Sequence, residues 1–312
     1  MHDLLLRCFQ TETDDMLPML EEDLEALGYK PERHLLHMLA PGTVPILLVA
    51  HVDTVHFGMP ETIYHDENKG CLWSPDGLGA DDRAGVWGIM EILHRGYRPW
   101  VLFTDEEETG GHGATQATKM WDAPDVRLLV QLDRMNDKDA VWYDCDNGKA
   151  ERWVNKHGFK TAQGSFSDIS ILCPDWHIAG VNLSIGYYRQ HTTAEHLSLP
   201  EAEATIDKVC TMLDNPPEKR FQYHAKKQSW SYFDNRLPTH YQAQTPYKLS
   251  TQVSHLEGDM HNLALDIDQE MCEGCDTLTD AHEMILYHGD SMLCKNCAKE
   301  VGLIDRRMAE KF

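Results

Sequence analysis

Short apolar runs alternate with amphipathic stretches along much of the chain. Three runs, residues 45–50, 100–104 and 126–132, are mostly apolar and rich in branched and aromatic side chains. Runs of this length and composition are typical of strands that are buried on both faces. We therefore predict three core strands at these positions.

Elsewhere, apolar residues recur at helical spacing. In residues 13–27 they fall on one face, and Gly28 follows as a stop signal. Residues 82–95 predict a second helix. A third is expected to begin at a capping-box pattern, Ser198 to Glu201 with a proline just inside, and to end near Leu213. The apolar face of the first helix consists of Met16, Leu20, Leu24 and Leu27.

The order of these elements predicts the fold class. Residues 33–39 and the strand leading to His51 are expected to form a hairpin-like pair, joined through Pro41 and Gly42. Strands that alternate with helices are typical of an α/β sandwich. We predict a three-layer α/β/α sandwich with a largely parallel mixed sheet.

Composition limits the class of partner and the compartment. The chain has 312 residues and a net charge of −23, which disfavours general binding to phosphate backbones, so we expect no nucleic-acid partner. No apolar run approaches the roughly 20 residues of a membrane span, and the first residues lack the flanks of a signal peptide. Five cysteines are scattered without framework spacing, which favours free thiols and a cytoplasmic protein.

Histidines and carboxylates stand at the ends of the predicted strands. His51 and Asp53 follow the first strand, Glu107 and Glu108 the second, and Asp133 the third. In an open α/β sheet, residues just past the carboxyl ends of the strands converge on one crevice. Imidazole and carboxylate together suit Zn²⁺, with Co²⁺ or Mn²⁺ as substitutes. The same chain also carries Asp81-Asp82 and His191.

In this order and spacing, the motifs resemble those of the co-catalytic di-zinc exopeptidases. The family includes peptidase T, its related deacetylases, and the tetrahedral and leucyl-type aminopeptidases. The resemblance covers roughly residues 40–214. It is carried by Leu-Val-Ala-His51-Val-Asp53, Gly-Ala-Asp81-Asp82-Arg-Ala-Gly, Phe-Thr-Asp-Glu-Glu107-Glu108-Thr-Gly and Arg189-Gln-His191-Thr-Thr-Ala-Glu195.

The resemblance implies a role for each position. His51, Asp81 and Asp133 would hold one zinc ion. Asp81, Glu108 and His191 would hold the other, so that Asp81 bridges the pair. Asp53 would orient His51 without touching metal. Glu107 would be the general base that takes a proton from water and returns it to the leaving amine. A cis peptide is expected after the bridging aspartate.

Several assignments have competitors. The run Asp105-Glu-Glu-Glu108 permits two registers, and we favour Glu107-Glu108 because the family's pair is followed by one residue and then glycine. Asp137 and Asp139 lie close to Asp133, and His196 lies close to His191. Asp81-Asp82 could also be a helix start.

Two further residues are candidates for substrate contact. The loop from Gly164 to Asp168 resembles a loop that borders substrate in the family, and Arg189 lies next to His191 in sequence. The alternative for the loop is a helix N-cap formed by Ser167 or Asp168.

The C-terminal part carries a second metal motif. Two Cys-x-x-Cys pairs separated by eighteen residues fit a four-thiolate structural zinc site. A redox dithiol is the main alternative. The predicted ligands of this zinc ribbon are Cys272, Cys275, Cys294 and Cys297.

We therefore predict three segments. Residues 1–214 form the hydrolase domain, 215–260 a connector rich in basic and aromatic residues, and 261–312 the ribbon. Neither gap between the motifs is long enough for the lid or insert that relatives carry. The aromatic residues of the connector favour packing onto its own domain, with nucleic-acid stacking as the alternative. The ribbon is a candidate for pairing chains into a homo-oligomer or for binding a partner protein.

The predicted function is hydrolysis of an amide bond by two zinc ions. An aminopeptidase or dipeptidase acting on short peptides fits best. A deacylase or amidohydrolase of a small metabolite is the alternative among enzymes. The alternative from another class is a non-catalytic adaptor that binds its partner through the ribbon.

Overall fold

The computed structural model describes residues 3–226, 269–271, 278–280, 284–287 and 291–294. Its helices are α1 (Asp3–Gln10), α2 (Thr13–Ala26), α3 (Ala80–His94), α4 (His112–Met120), α5 (Gly148–Asn155), α6 (Ile169–Trp176) and α7 (Leu199–Asp214). Its strands are β1 (Glu32–Arg33), β2 (His37–Ala40), β3 (Val44–His51), β4 (Tyr64–Asp66), β5 (Cys71–Trp73), β6 (Pro99–Thr104), β7 (Leu128–Arg134), β8 (Asp139–Val141), β9 (Lys160–Ala162), β10 (Gly180–Ser184), β11 (Tyr187–Tyr188), β12 (His196–Ser198), β13 (Gln269–Met271), β14 (Leu278–Asp280), β15 (Met284–Tyr287) and β16 (Ser291–Cys294).

An eight-stranded mixed sheet organises residues 3–226. Its strand order is β1-β2-β6-β3-β7-β10-β8-β9, and the four central strands, β6, β3, β7 and β10, are parallel to one another. A smaller antiparallel sheet has the order β11-β12-β5-β4. The prediction of an α/β sandwich with a largely parallel mixed sheet is confirmed.

Helices cover both faces of the large sheet because its central strands are apolar on both faces. In β3, Leu48 and Ala50 belong to one core cluster, whereas Leu47 and Val49 belong to another. Successive side chains of a strand point to opposite faces, so a single apolar run supplies two cores. The first cluster includes residues of α1, α2, α3 and α7, and the second includes residues of α4 and α6. The three core strands are present, each within two residues of its predicted bounds.

The expected hairpin between residues 33–39 and the strand leading to His51 is wrong. β2 pairs antiparallel with β6, which in turn lies beside β3. The connection at Gly42 explains the difference, because a Cβ there would lie 2.1 Å from the carbonyl oxygen of Pro99. The chain therefore turns directly over the start of β6, and glycine permits that approach.

The predicted helices are present, but one expected cap is missing. α2 buries Met16, Leu20 and Leu24 as the apolar spacing predicts, and Gly28 after it has a φ of 86°. α7 begins at Leu199 with Pro200 in its first turn. The side chain of Ser198 makes no capping hydrogen bond, so the capping box predicted there is wrong.

The C-terminal predictions fall mostly outside the described residues. β13 pairs with β14 and β15 with β16, both antiparallel. Cys272, Cys275 and Cys297 lie outside the described residues, and of Cys294 only its place at the end of β16 is described. The zinc ribbon therefore stays a prediction. No helix within the described ranges has the length and apolar character needed to cross a membrane.

The first residues of the predicted connector contact the domain. Phe221 N–H donates to the carbonyl of Arg127, and the Phe221 carbonyl accepts from Ala179 N–H, at 2.9 and 2.8 Å. Phe221 and Tyr223 are partly buried against the core. Phe221 and Tyr223 thus lie against the domain, and residues 227–260 of the predicted connector lie outside the described residues.

A buried histidine at the start of β2 predicts loss of stability in acid. His37 is 0% exposed, its Nε2 accepts from Trp121 Nε1 at 2.9 Å, and burial lowers its pKa from 6.5 to about 4 despite its hydrogen bond to Gln116. Between pH 4 and pH 6.5, His37 is protonated in the unfolded chain and neutral in the folded chain. Stability should therefore fall by about 1.4 kcal/mol per unit as pH drops from 6.5 to 4.

Urea unfolding of wild type and His37→Gln across this interval checks the prediction. The variant should be less stable near pH 7 and less dependent on pH, because it lacks the titrating ring. Subtracting the two curves removes the contribution of other acidic groups. Parallel curves would show that His37 does not titrate as described.

Candidate metal centre

The predicted strand ends bring five separated sequence positions together. His51 is the last residue of β3, Asp133 lies near the end of β7, and Glu108 follows β6 by four residues. Asp81 stands in the first turn of α3, and His191 lies in the loop between β11 and β12. All lie at the carboxyl-terminal edge of the parallel strands, where α/β sheets bind ligands.

The Asp81 carboxylate lies between two histidines. Its Oδ1 is 3.3 Å from His51 Nε2, and its Oδ2 is 3.3 Å from His191 Nε2. The peptide bond between Asp81 and Asp82 is cis, as the family resemblance implies. Each carboxylate oxygen thus faces a different imidazole, which is the arrangement that a bridge between two ions requires.

The glutamate run resolves into three different environments. Glu108 lies 3.1 Å from His191 Nε2, and buried Glu107 has an oxygen 4.0 Å from His51 Nε2. Glu106 is exposed and has a φ of 59°. The structure therefore brings Glu107 and Glu108, and not Glu106, into the cluster.

The donor set fits divalent metal ions. Ligand-type atoms of His51, Glu107 and Asp133 lie within 4.8 Å of one another, and so do those of His51, Asp81 and Glu108. Imidazole nitrogen with carboxylate oxygen is the combination expected for catalytic zinc. The first group contains Glu107, whereas the sequence analysis places Asp81 with His51 and Asp133. These distances therefore do not by themselves show whether Glu107 is a metal ligand or the general base.

Asp53 contacts both the histidine and the glutamate turn. Its Oδ1 lies 3.2 Å from His51 Nδ1, which fixes the tautomer with Nε2 facing the cluster. Its two oxygens also accept the backbone N–H groups of Glu107 and Glu108 at 3.1 and 3.0 Å. One carboxylate therefore orients residues from two strands.

Burial and charge shift the pKa values of the cluster in opposite directions. Burial would lower the pKa of His51, but Asp53 and the other carboxylates raise it well above its usual value. Burial would raise the pKa of Asp81, but the two histidines hold it well below its usual range. Burial raises the pKa of Glu107 even with His51 nearby. The buried carboxylates therefore favour positively charged groups or ions at this site.

The competing candidates lie elsewhere. Asp139 accepts from Asn136 and pairs with Arg134, and Asp137 pairs with Lys138. His196 stacks on Tyr188, with Nδ1 3.1 Å from a backbone carbonyl oxygen. Of these aspartates and histidines, Asp133 and His191 are the ones that join the cluster.

The two candidates for substrate contact occupy different places. Asp168 is 0% exposed, its Oδ2 accepts from Thr104 Oγ1, and burial raises its pKa to about 6. Its side chain does not cap α6, and neither does Ser167, whose hydroxyl instead donates to Gln131. Arg189 is exposed, with a φ of 56°. Contact of either Asp168 or Arg189 with substrate stays a prediction.

Sequence reasoning missed the support that Glu195 gives to the site. Its Oε2 accepts Gly79 N–H at 2.6 Å and lies 3.1 Å from His56 Nε2, while its Oε1 accepts Asp81 N–H at 3.1 Å. These N–H groups belong to the start of α3, whose N-cap residue, Gly79, has no side chain to cap it. Glu195 thus ties the loop that carries His191 to the turn that carries Asp81. Its place in the motif after His191 was the available signal.

Replacing Glu195 should therefore weaken metal binding. In Glu195→Gln the amide has one oxygen for two N–H groups, so one buried donor loses its partner, at a cost of about 1–3 kcal/mol. We expect zinc affinity to fall about 10- to 100-fold, as it does when groups that hydrogen-bond to metal ligands are removed. Competition with a chromophoric chelator measures this change. Glu201→Gln, which affects a bond to Tyr188 instead, is the matched control, and equal affinities in both variants would contradict the prediction.

Comparison with solved structures gives the fold relationship. Aminopeptidase PepT from Bacillus cereus ATCC 10987 matches at a TM-score of 0.54 and 15% identity, over 67% of this chain and 95% of that one. A tripeptidase from Staphylococcus aureus subsp. aureus Mu50 matches with the same values. The TET1 peptidase of Pyrococcus horikoshii, which can assemble into a tetrahedron or an octahedral shell, matches at a TM-score of 0.53 and 12% identity, over 68% and 98%. Identities this low show a shared fold alone.

Family-level comparison carries the assignment. A comparison with curated protein sequences finds no match. The model of peptidase family M28 matches residues 35–245, which contain every histidine and carboxylate of the cluster. This match spans more than half of the chain, and the cluster provides the metal-binding residue types that such an enzyme needs. The chain belongs to peptidase family M28 and is a metallopeptidase.

Proposed function

We propose that the chain is a two-zinc aminopeptidase that acts on short peptides. The position of Asp81 carries the proposal, because its two oxygens each lie 3.3 Å from a different histidine. A carboxylate placed in this way can contact two ions at once. Paired metals about 3.5–4 Å apart are a recurrent arrangement in hydrolases, including aminopeptidases.

The remaining ligands follow from what lies beside each histidine. His51, Asp81 and Asp133 would hold one ion, since Asp133 Oδ1 lies 3.5 Å from His51 Nε2. His191, Asp81 and Glu108 would hold the other, because both oxygens of Glu108 lie 3.1 Å from His191 Nε2. Bound zinc ions would supply a polarised amide carbonyl and a water of lowered pKa.

The chain's own groups would orient the site and move the proton. Asp53 holds His51 in one tautomer and keeps the glutamate turn in place through two N–H bonds. Glu107 lies in the cluster with an oxygen 4.0 Å from His51 Nε2, and we assign its carboxylate as the base that would accept a proton from water and return it to the leaving amine. Burial keeps bulk water away from this transfer, since Glu107 is 9% exposed.

The substrate class is supported by the relatives. Structures with this fold include an aminopeptidase and a tripeptidase. An aminopeptidase or tripeptidase must accept the positively charged, free α-amino group of its substrate. A deacylase would instead need to accept a blocked, neutral nitrogen.

A turnover screen separates these activities. Zinc-loaded protein should hydrolyse unblocked di- and tripeptides and should fail on the same peptides carrying an N-acetyl group. Preference for the acetylated peptides would establish the deacylase. Absence of turnover on both, with no more than one zinc ion bound per chain, would support the adaptor.

A further inference from the structure

The two oxygens of Asp133 have different surroundings. Oδ1 lies 3.5 Å from His51 Nε2 and accepts from Tyr187 OH at 3.3 Å. Oδ2 instead accepts from two side-chain amides, Gln131 Nε2 at 3.1 Å and Asn182 Nδ2 at 3.2 Å, and it lies 3.2 Å from Ser167 Oγ. One oxygen faces the metal cluster, and the other is held from behind by N–H donors.

Backbone donors fix the orientation of both amides. Gln131 Oε1 accepts Ile169 N–H at 3.1 Å, and Asn182 Oδ1 accepts Asp133 N–H at 2.9 Å. A backbone N–H can only donate, so each amide must present its oxygen to that group. The NH₂ group of each amide is then left facing the carboxylate. Ser167 reinforces this orientation, because its hydroxyl donates to Gln131 Oε1 at 2.5 Å.

The sheet itself requires an amide at position 182. The pairing of β10 with β7 shifts register between Asn182 and Ser184, so the regular ladder breaks opposite Asp133. The Asn182 side chain bonds the N–H of Asp133, and also its carbonyl at 2.8 Å. The Asn182 side chain thereby makes the two backbone hydrogen bonds that regular strand pairing would make, and it also bonds Asp133 Oδ2. Gln131 reaches the same oxygen because residues two apart share a face of a strand.

We propose that Gln131 and Asn182 are positioning residues that make Asp133 a ligand through Oδ1 alone. A carboxylate that chelates an ion with both oxygens must turn both toward it. The two amides hold Oδ2 away and so prevent that turn. The inference rests on the proposed two-zinc function, and it assigns the single-oxygen geometry to the ion shared by His51 and Asp133.

The test removes one donor while keeping the length of the side chain. In Gln131→Met, the NH₂ group that faces Asp133 is lost and no other proton donor replaces it. We expect one of the two zinc ions to bind about 10- to 100-fold more weakly while the other is unaffected. The visible spectrum of the Co²⁺-substituted protein should change for the same ion, because the coordination of Asp133 changes.

Matched controls separate this effect from general damage. Gln116→Met makes the same substitution in a side chain whose oxygen accepts a backbone N–H from Leu36 and contacts His37 rather than a proposed ligand, and it should leave both ions unchanged. A milder variant, Ser167→Ala, should weaken the same ion less. Its control is Ser184→Ala, since the Ser184 hydroxyl bonds Met135 and Asp139.

The outcomes distinguish this inference from the function on which it rests. Wild-type affinity for both ions and an unchanged Co²⁺ spectrum in Gln131→Met and Ser167→Ala would overturn the positioning role alone. Fewer than two ions at this cluster in the wild-type chain would overturn the proposed function and this inference with it.

Discussion

Glu107→Gln should remove most of the peptidase activity while both catalytic zinc ions remain bound. The substitution keeps the size of the side chain and the backbone N–H bond to Asp53, and it removes only the proton acceptor. General bases contribute about 10²- to 10⁴-fold to the rate, so kcat should fall by that factor. Zinc content after gel filtration and kcat on an unblocked dipeptide are the measurements.

Glu106→Gln is the control, because the neighbouring side chain is exposed. It should retain wild-type kcat and zinc content. If Glu107→Gln loses one zinc ion, Glu107 is a metal ligand rather than the base. Its distances from His51 and Asp133 would allow that role. Activity lost in Glu106→Gln would move the register of the whole motif by one residue.

Asp81→Ala should deplete the site of metal more than any other single substitution. Its carboxylate faces both histidines, and the other proposed ligands face one histidine each. Its loss therefore weakens both sites at once, whereas His191→Ala should mainly release one ion. Zinc stoichiometry after dialysis against a weak chelator should fall furthest in Asp81→Ala, and activity should fall with it.

Asp76→Ala is a suitable control, because Asp76 is an exposed residue of the preceding turn. Its zinc content should match that of wild type. If Asp81→Ala retains two ions with near-normal affinity, Asp81 does not bridge them. Circular dichroism should accompany the titration, because Asp81 also belongs to the first turn of α3.

The core strands could be predicted because burial on both faces leaves a simple pattern. β3, β6 and β7 are mostly apolar runs, and such runs are typical of strands buried on both faces. Short strands such as β8 and β10 lack this signal. β10 is buried throughout, yet its sequence Gly-Val-Asn-Leu-Ser contains only two aliphatic residues.

Strand neighbours could not be predicted from proximity along the chain. β2 and β3 are adjacent in sequence, but β6 lies between them. The reason lies in tertiary packing, because Gly42 packs against the backbone of Pro99 at the start of β6. A sequence shows that a turn is present, and packing decides which strand lies beyond it.

The sequence by itself determined the fold class, the residue types at the strand ends and their order along the chain. Those follow from patterns within a few residues, namely apolar runs and the polar groups that directly succeed them. The spacing of the motif favoured Glu107 and Glu108 over Glu106, whereas the tertiary structure alone decided which side chains support the cluster. Asn182 lies 49 residues from Asp133, and Glu195 lies 114 from Asp81. Hydrogen bonds depend on distances of a few ångströms in space, and these are set when the sheet brings remote strand ends together.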